Sequence, residues 1–314
     1  MRAVVIGAGG ALGVGERPDP VPGDTELLIA VRAAGVNGAD LAQRRGEYPP
    51  PPGCPIDVPG LELAGEVVGV GGRVSRFALG DQAMALVGGG AQATLATVDE
   101  THALPMPHGL SWPQAGGFVE AFTTAFDALF SQGGLALGER VLVSGAAGGV
   151  GAAAVQLAAL AGARVVATVR DATLRDAVAE LGAAEAIAPG EVGAGGPYDV
   201  VLELVGADDL AAALPSLAQR GRVLVIGLGA GAQLDLDLRL LMSRRAQIRG
   251  STLRARSLAE KAAAIEAMRV SVLPLLADRR LRVPVCATFP LDEVERAYER
   301  FAAGGKLGKV VLEI

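Results

Sequence analysis

Hydrophobic and polar positions follow two different rhythms along the chain, and the change falls near Ser111. Before it, short β-type runs alternate with Gly/Pro turns. Leu27–Ala33, Leu63–Val70, Gln82–Leu86 and Ala91–Thr97 predict strands of an antiparallel, barrel-like unit, with another strand in the opening MRAVVI. The stretch Tyr48–Gly53 (YPPPPG) is neither helix interior nor central strand, because proline has no N–H to donate.

After Ser111 the period lengthens. Ser111-Trp112-Pro113-Gln114 has the form of a capping box, and a helix is predicted from there through Phe130. Strands are then expected at Val141–Gly145, Arg164–Val169, Asp199–Leu204 and Arg222–Gly227. Helices are expected between them at Gly149–Ala161, Ala172–Leu181 and Asp208–Leu217. Apolar strands alternating with helices predict an α/β fold with a doubly wound parallel sheet. Gln247–Leu253 is placed at the edge of that sheet. The remainder reads as helix Leu258–Ala277, strand Val283–Phe289, helix Asp292–Phe301 and strand Gly308–Glu313. This tail is too short to bury a core alone, so it is expected to pack on the N-terminal unit. The expected domains are therefore 1–115 with 254–314, and 116–253.

Composition narrows the class. The 314 residues are 51% hydrophobic and 20% charged, as in ordinary globular chains. No apolar run reaches the ~18 residues of a membrane span. A net charge of −6 argues against a nucleic-acid-binding surface, which would be basic. Two cysteines, Cys54 and Cys286, are too few for a disulfide scaffold and point to the reducing cytoplasm. The two histidines, His102 and His108, are read as surface polar residues rather than metal ligands.

Three glycine-rich segments compete as nucleotide loops. Gly7–Gly13 follows a strand but leads into VGERPDPVPGD, which has three prolines and no helix. A pyrophosphate site needs a helix N-terminus, so this segment is read as a turn between strands. Ser144–Gly151 (SGAAGGVG) follows a buried strand and opens a helix rich in small residues. There Gly145 and Gly148 allow the tight turn, Gly149 admits the pyrophosphate, and Gly151 lets the helix lie against the strand. Ala147 and Val150 complete that loop. Gly227–Gly231, at the end of a later strand, lacks a following helix. Gly227 and Leu228 are assigned either to the nicotinamide half of a dinucleotide or to an ordinary strand-end turn.

An acidic residue about 20 positions past such a loop marks NAD preference. That position falls on Val169, so NADPH is expected, with NADH possible. Arg170 is the candidate for a 2′-phosphate, and Arg175 is a second. Asp171 beside it is able to pair with Arg170 or to repel the phosphate.

The chain resembles the zinc-independent quinone oxidoreductases of the medium-chain dehydrogenase/reductase superfamily. Within them it is most similar to the subgroup of the p53-inducible quinone reductase and its bacterial relatives. The resemblance is carried by Ala33–Gly53, PGLELAGEVVGVG (Pro59–Gly71), Gly80–Ala93, EAFTTAFDAL (Glu120–Leu129), Val141–Ala158, STLRARS (Ser251–Ser257) and GKLGKVVLEI (Gly305–Ile314), in matching order. It implies a Rossmann domain plus a GroES-like, mainly-β catalytic domain. Zinc-dependent members carry Cys, His and Cys or Asp where this chain has Asn37, Leu61 and, nearby, Glu120, so no zinc is expected.

The resemblance further places Asn37 and Tyr48 at the substrate and Thr124 by the nicotinamide. An amide such as Asn37 donates to a carbonyl oxygen without a metal, and Tyr48 offers a ring face and a phenol. The Lys, Ser/Thr and Tyr that hold a 2′-phosphate in relatives correspond here to Leu174, Asp171 and Pro189. The expected function is hydride transfer from NADPH to a small-molecule quinone or conjugated enone. The alternatives are an enoyl-thioester reductase of the same superfamily, or a weakly active NADPH-binding partner protein. Pairing of the Gln247–Leu253 edge with its twofold mate predicts a homodimer.

Overall fold

The chain lays down fifteen strands. In order they are β1 (Arg2–Ile6), β2 (Leu12–Glu16), β3 (Glu26–Val36), β4 (Glu62–Val70), β5 (Gln82–Leu86), β6 (Leu95–Asp99) and β7 (Ala103–Pro105). Then follow β8 (Arg140–Val143), β9 (Arg164–Thr168), β10 (Glu185–Ile187), β11 (Tyr198–Glu203), β12 (Leu217–Val225), β13 (Gln247–Gly250), β14 (Val285–Pro290) and β15 (Lys309–Glu313). The computed structural model describes residues 1–314 and divides into two units. The first holds Met1–Thr123, Leu253–Gly304 and Lys309–Ile314. The second holds Thr124–Thr252 and Gly305–Gly308.

The first unit is built on a seven-stranded sheet ordered β14-β15-β3-β4-β5-β7, with β6 also pairing β3. All its pairings are antiparallel except β14 with β15. The tail joins through β15, where Val310 faces Val36 and Leu312 faces Ala34. Leu27, Ile29, Leu63, Val67 and Ala83 fill one side of this sheet, and the helix Val294–Ala302 packs Val294, Ala297 and Tyr298 against Val36, Val310 and Leu312. Tyr298 is fully buried, and its hydroxyl donates to Gln92 Oε1 at 2.9 Å.

The second unit carries an all-parallel sheet ordered β10-β9-β8-β11-β12-β13. Strand order reverses between β8 and β11, as in doubly wound dinucleotide folds. Its core gathers Leu142, Val166, Tyr198, Val201, Leu210, Leu214 and Val223.

Several elements differ from the sequence expectation, each for a local reason. The helix expected from Ser111 through Phe130 is broken. Trp112–Gly116 is capped as predicted, with the Ser111 side chain accepting from Gln114 N–H, but it ends at Gly117. A Cβ on Gly116 would stand 2.7 Å from Ala33 Cβ, so close packing on β3 forces glycine where a long helix would prefer other residues. A second helix, Val119–Phe126, runs into a π-helical turn at Asp127–Gln132. Leu258–Ala277 splits into Leu258–Ser271 and Leu273–Ala277 because Pro274 lacks the N–H that would continue the first helix. The strand expected at Ala91–Thr97 starts at Leu95 instead, and Ala93 forms only an isolated bridge to Ala3. Leu217 begins β12 rather than ending a helix. Histidine 102 is buried rather than on the surface, with Nε2 2.9 Å from the Leu258 carbonyl. No helix is long and apolar enough to cross a membrane.

Replacing Tyr298 by Phe removes one buried hydrogen bond and leaves the Gln92 amide oxygen unsatisfied, a loss of about 1–2 kcal/mol. Calorimetry is expected to show the melting of the first unit lowered by about 2–6 °C, with nucleotide binding by the second unit unchanged. An unshifted melt would show that this bond adds nothing.

Candidate active site

In the first unit the chain buries an ionic network around the end of β3. At Gly35 β3 lies close against the Glu62 side chain: a Cβ there would stand 2.4 Å from Glu62 Oε1. Two residues on, Asn37 starts the helix Gly38–Arg44, a helix with no strong apolar period to announce it. Its backbone N–H donates to Asp40 Oδ2 at 2.8 Å, and Gly60 N–H donates to Asp40 Oδ1 at 3.0 Å. Asp40 is wholly buried, and burial pushes its carboxyl up to about 6.

Lys309, the first residue of β15, enters this network from the tail. Its ammonium forms an ion pair with Glu62 Oε1 at 2.6 Å and donates to Asn37 Oδ1 at 2.6 Å and the Val36 carbonyl at 3.2 Å. Three oxygens thus surround the three N–H donors of the lysine. Lys309 and Glu62 are 3% and 0% exposed, so neither charge has water to solvate it. Such a pair is tolerated only when every hydrogen-bonding position is filled. Asn37 Nδ2 also donates to Glu62 Oε1 at 3.0 Å, and Glu120 N–H donates to Glu62 Oε2 at 2.9 Å. Both ends of the Asn37 amide are thus engaged within the unit.

Beside the filled network lies a second group of buried and half-buried polar side chains, Arg254, Tyr48, Lys261, Cys54 and Glu120. Arg254, 3% exposed, donates to three neutral oxygens: the Gly88 carbonyl at 2.7 Å, the Tyr48 carbonyl at 2.8 Å and Gln43 Oε1 at 2.5 Å. Its guanidinium also sits 5.3 Å from the Tyr48 ring centroid, a cation–π contact. The Tyr48 phenol is held above its ordinary value by burial and then by the charge of Glu120. Burial lowers the Lys261 ammonium and raises the Cys54 thiol. The Glu120 carboxyl is pushed up to about 8, first by burial and then by Glu62.

The position of zinc in zinc-dependent relatives can be tested directly against these residues. Asn37 is bound to an ammonium and a carboxylate, Leu61 is an apolar side chain 1% exposed, and no three His, Cys, Asp or Glu converge to hold a metal. These residues do not fit a zinc site, and Lys309 supplies positive charge beside Asn37.

In the second unit Ser144–Gly151 runs from β8 into the helix Gly149–Leu160. Gly145 adopts φ +61° and donates its N–H to Thr168 Oγ1 at 3.1 Å. Gly148 is the N-cap, with no side chain over the helix end, so the first-turn N–H groups stay open. A Cβ on Gly151 would lie 2.4 Å from the Gly145 carbonyl oxygen and 2.6 Å from Ala146 Cα. Ala147 is fixed from the far side, its carbonyl accepting from Gly308 N–H at 2.8 Å. Val150 lies within the first helical turn.

The other sequence-predicted residues fall around the carboxyl ends of these strands. Val169 is buried, Arg170 is exposed, and Asp171 turns its carboxylate into a local turn, accepting from Thr173 N–H at 3.0 Å and Thr173 Oγ1 at 2.7 Å. Arg175 is directed to the Val169 carbonyl. Gly227 follows β12 where any Cβ would strike the Leu204 carbonyl, and Leu228 is 53% exposed. Thr124 is partly exposed, while its neighbour Thr123 is buried with its hydroxyl unpartnered. By contrast the Gly7–Gly13 segment is the turn of the β1–β2 hairpin, with no α-helix behind it.

Sequence reasoning passed over Glu62, Lys309, Arg254, Lys261 and Glu203. Glu203 ends β11, is 1% exposed, and takes the N–H groups of Val205 and Gly206 on Oε1 at 2.6 and 2.8 Å. Its Oε2 has no partner, and burial raises its pKa. The available signal was a charge inside an apolar strand run: Glu62 heads ELAGEVVGV, Lys309 heads KVVLE, and Glu203 closes YDVVLE.

Comparison with known proteins agrees with both units. Residues 23–124 match the family model described as alcohol dehydrogenase GroES-like domain, and residues 149–269 match that described as zinc-binding dehydrogenase. The chain is 32% identical over 310 residues to the quinone oxidoreductase of Lama guanicoe, covering 93% of this chain and 90% of that protein. It is 30% identical over 305 residues to the quinone oxidoreductase-like protein 2 homolog of Nematostella vectensis, covering 92% and 82%. The Escherichia coli quinone oxidoreductase, solved as a complex with NADPH, superposes with a TM-score of 0.86 at 25% identity, covering 100% of this chain and 99% of that one. The chain belongs to the medium-chain dehydrogenase/reductase superfamily, among its quinone oxidoreductase-like members, and is an NAD(P)H-dependent oxidoreductase.

Proposed function

We propose that this protein is an NADPH-dependent, zinc-free reductase of small quinones or conjugated enones. The observation that carries the reading is the Lys309–Glu62–Asn37 network, which engages both ends of the amide at Asn37, the position of one zinc ligand in zinc-dependent relatives, while apolar Leu61 stands at another. Bound NADPH supplies a hydride from the nicotinamide ring. The protein's share is to bind the dinucleotide on the second unit and to hold the acceptor on the first.

Gly145 and Gly148, whose N–H groups are taken by Thr168 Oγ1 and the Gly145 carbonyl, shape a loop without side-chain obstruction, and Ala147, Gly149 and Val150 offer it backbone N–H groups, which suits a pyrophosphate. Arg170 is the residue proposed for the 2′-phosphate: it is exposed, and Asp171 is already engaged by Thr173. Thr124, Gly227 and Leu228 are assigned to the nicotinamide half. On the first unit Tyr48 offers its ring face and phenol to the acceptor. Asn37 acts by position, since its amide is consumed in anchoring Lys309 and Glu62. A cytoplasmic setting belongs to the same reading, since two cysteines are too few for a disulfide scaffold.

We further propose a homodimer that pairs β13. This strand bonds only β12, and the neighbouring helix Leu238–Arg244 exposes Leu238 and Met242 at 65% and 77%. An exposed parallel edge beside apolar side chains is a surface that proteins cover. Light scattering is expected to give twice the 31.7 kDa chain mass; a monomer at micromolar concentration rejects the dimer.

Nucleotide titration tests the second unit. Gly151→Val is expected to weaken NADPH binding at least ~10-fold by displacing the Gly145–Ala146 turn, equivalent to about 1.4 kcal/mol. Arg170→Ala is expected to weaken NADPH ~10-fold and NADH little. Equal loss for both nucleotides would remove Arg170 from the 2′-phosphate.

NADPH oxidation with 9,10-phenanthrenequinone or a small naphthoquinone tests the chemistry. Turnover is expected, with Tyr48→Phe lowering kcat/KM about 3–10-fold, of the order of one lost hydrogen bond. No oxidation with any quinone or enone would overturn the reading, and turnover of crotonyl-thioester in their place would reassign the acceptor.

A further inference from the structure

We propose that Glu120 is the acid that delivers the proton completing the reduction, a step that rests on the reductase reading above. The first unit contains three buried or nearly buried carboxylates near Asn37, and two are closed. Glu62 accepts from Lys309 and Asn37 on one oxygen and from Glu120 N–H on the other. Asp40 accepts from Asn37 N–H and Gly60 N–H, one on each oxygen. The Glu120 carboxyl alone has no hydrogen-bond partner in the chain, and its residue retains partial exposure.

Its backbone is fixed by the bond to Glu62, at the start of the helix Val119–Phe126, so the free carboxyl is positioned and not adrift. The charged and titratable groups around it are Glu62 and Asp40, which disfavour its anion, Lys309 and Arg254, which favour it, and Tyr48 and Lys261. Burial and Glu62 outweigh the two cations, and the carboxyl stays protonated up to about pH 8.

Protonated at neutral pH, Glu120 is a neutral donor facing open groups. The neighbouring phenol of Tyr48 is also shifted upward, from an ordinary value of 10, by burial and by the charge of Glu120, and so is the weaker acid of the two. An acid is most effective when its pKa lies near the working pH. For an enone, hydride forms a C–H bond at the β-carbon, and the C=C π pair moves to give an enolate oxygen. The Glu120 O–H bond then breaks and its proton goes to that oxygen. For a quinone, the two electrons of the hydride give the hydroquinone monoanion, and the same proton completes the hydroquinone. The nicotinamide is oxidised, the acceptor is reduced, and Glu120 is left as a carboxylate that takes its next proton from water. Arg254 and Lys261, which have no carboxylate partner of their own, stabilise that transient anion.

The test is steady-state NADPH oxidation with a naphthoquinone from pH 6 to 10, on the full chain. For wild type kcat is expected to be level at low pH and to fall with an apparent pKa near 8. Glu120→Gln is expected to lower kcat about 10–100-fold and to abolish that limb, with KM for the quinone and Kd for NADPH within threefold. Glu120→Asp is expected to keep the limb at reduced kcat. Folding is checked by melting. The neutral form of Glu120 is the one favoured by the folded state, so its contribution to stability is present below about pH 4.5 and is lost as pH rises through about 8. Above pH 8 Glu120→Gln is therefore expected to melt higher than wild type. An active wild type with a Glu120→Gln variant that keeps kcat within twofold and retains the alkaline limb overturns the proposal alone. A wild type inactive with every quinone and enone overturns the reductase reading and the proposal together.

Discussion

The first unit depends on one buried ion pair. Lys309 and Glu62 lie 2.6 Å apart with almost no exposure, and a lone charge at that depth would cost several kcal/mol. The cost is contained because the lysine has three acceptors and the glutamate has donors on both oxygens. Meeting that condition recruits distant parts of the chain: β3 through the Val36 carbonyl, the helix start at Asn37, β4 through Glu62, the Val119–Phe126 helix through Glu120, and β15 through Lys309. The tail is thereby tied to the N-terminal segment by charge as well as by the β15–β3 ladder.

The same arrangement bears on chemistry. Beside Asn37, which stands where zinc-dependent relatives carry one ligand, an ammonium is built in, held by two hydrogen bonds and an ion pair. It does not substitute for a Lewis acid with an open position. Instead it fixes Asn37 and Glu62, and so sets them apart from the neighbouring Glu120, Tyr48, Lys261 and Arg254, of which Arg254 is bonded only to neutral oxygens. Electrostatics then sorts the carboxyls. Asp40 has donors on both oxygens and settles near 6, whereas Glu120 has none and settles near 8. Burial raises both acids, but two N–H donors hold the Asp40 anion back, whereas the Glu62 charge pushes Glu120 further up.

The second unit solves a different problem, that of placing bare backbone at the end of a parallel sheet. Thr168 holds Gly145 N–H from β9, Gly308 holds the Ala147 carbonyl, and Glu203 clamps Val205 and Gly206 at the end of β11. These contacts surround the reversal of strand order between β8 and β11, where doubly wound sheets take their ligands.

The sequence by itself determined whatever depends on neighbours along the chain. Apolar strands alternating with helices specify the parallel sheet, a strand and helix flanking Ser144–Gly151 separate it from the Gly7–Gly13 turn, and the family resemblance puts Asn37 and Leu61 where zinc-dependent relatives carry Cys and His. Boundaries set by contacts across the fold were not legible. The break at Gly116–Gly117 exists because β3 passes 2.7 Å from where a Cβ would stand, and the burial of His102 follows from the approach of the Leu258 carbonyl. The open carboxyl of Glu120 was hidden for the same reason. Its protonation is favoured by burial and by Glu62, 58 positions away in sequence, against a lysine almost at the C-terminus. A charge in a strand signals that something must neutralise it; only the tertiary structure says which partner does, and which neighbour is left free to act.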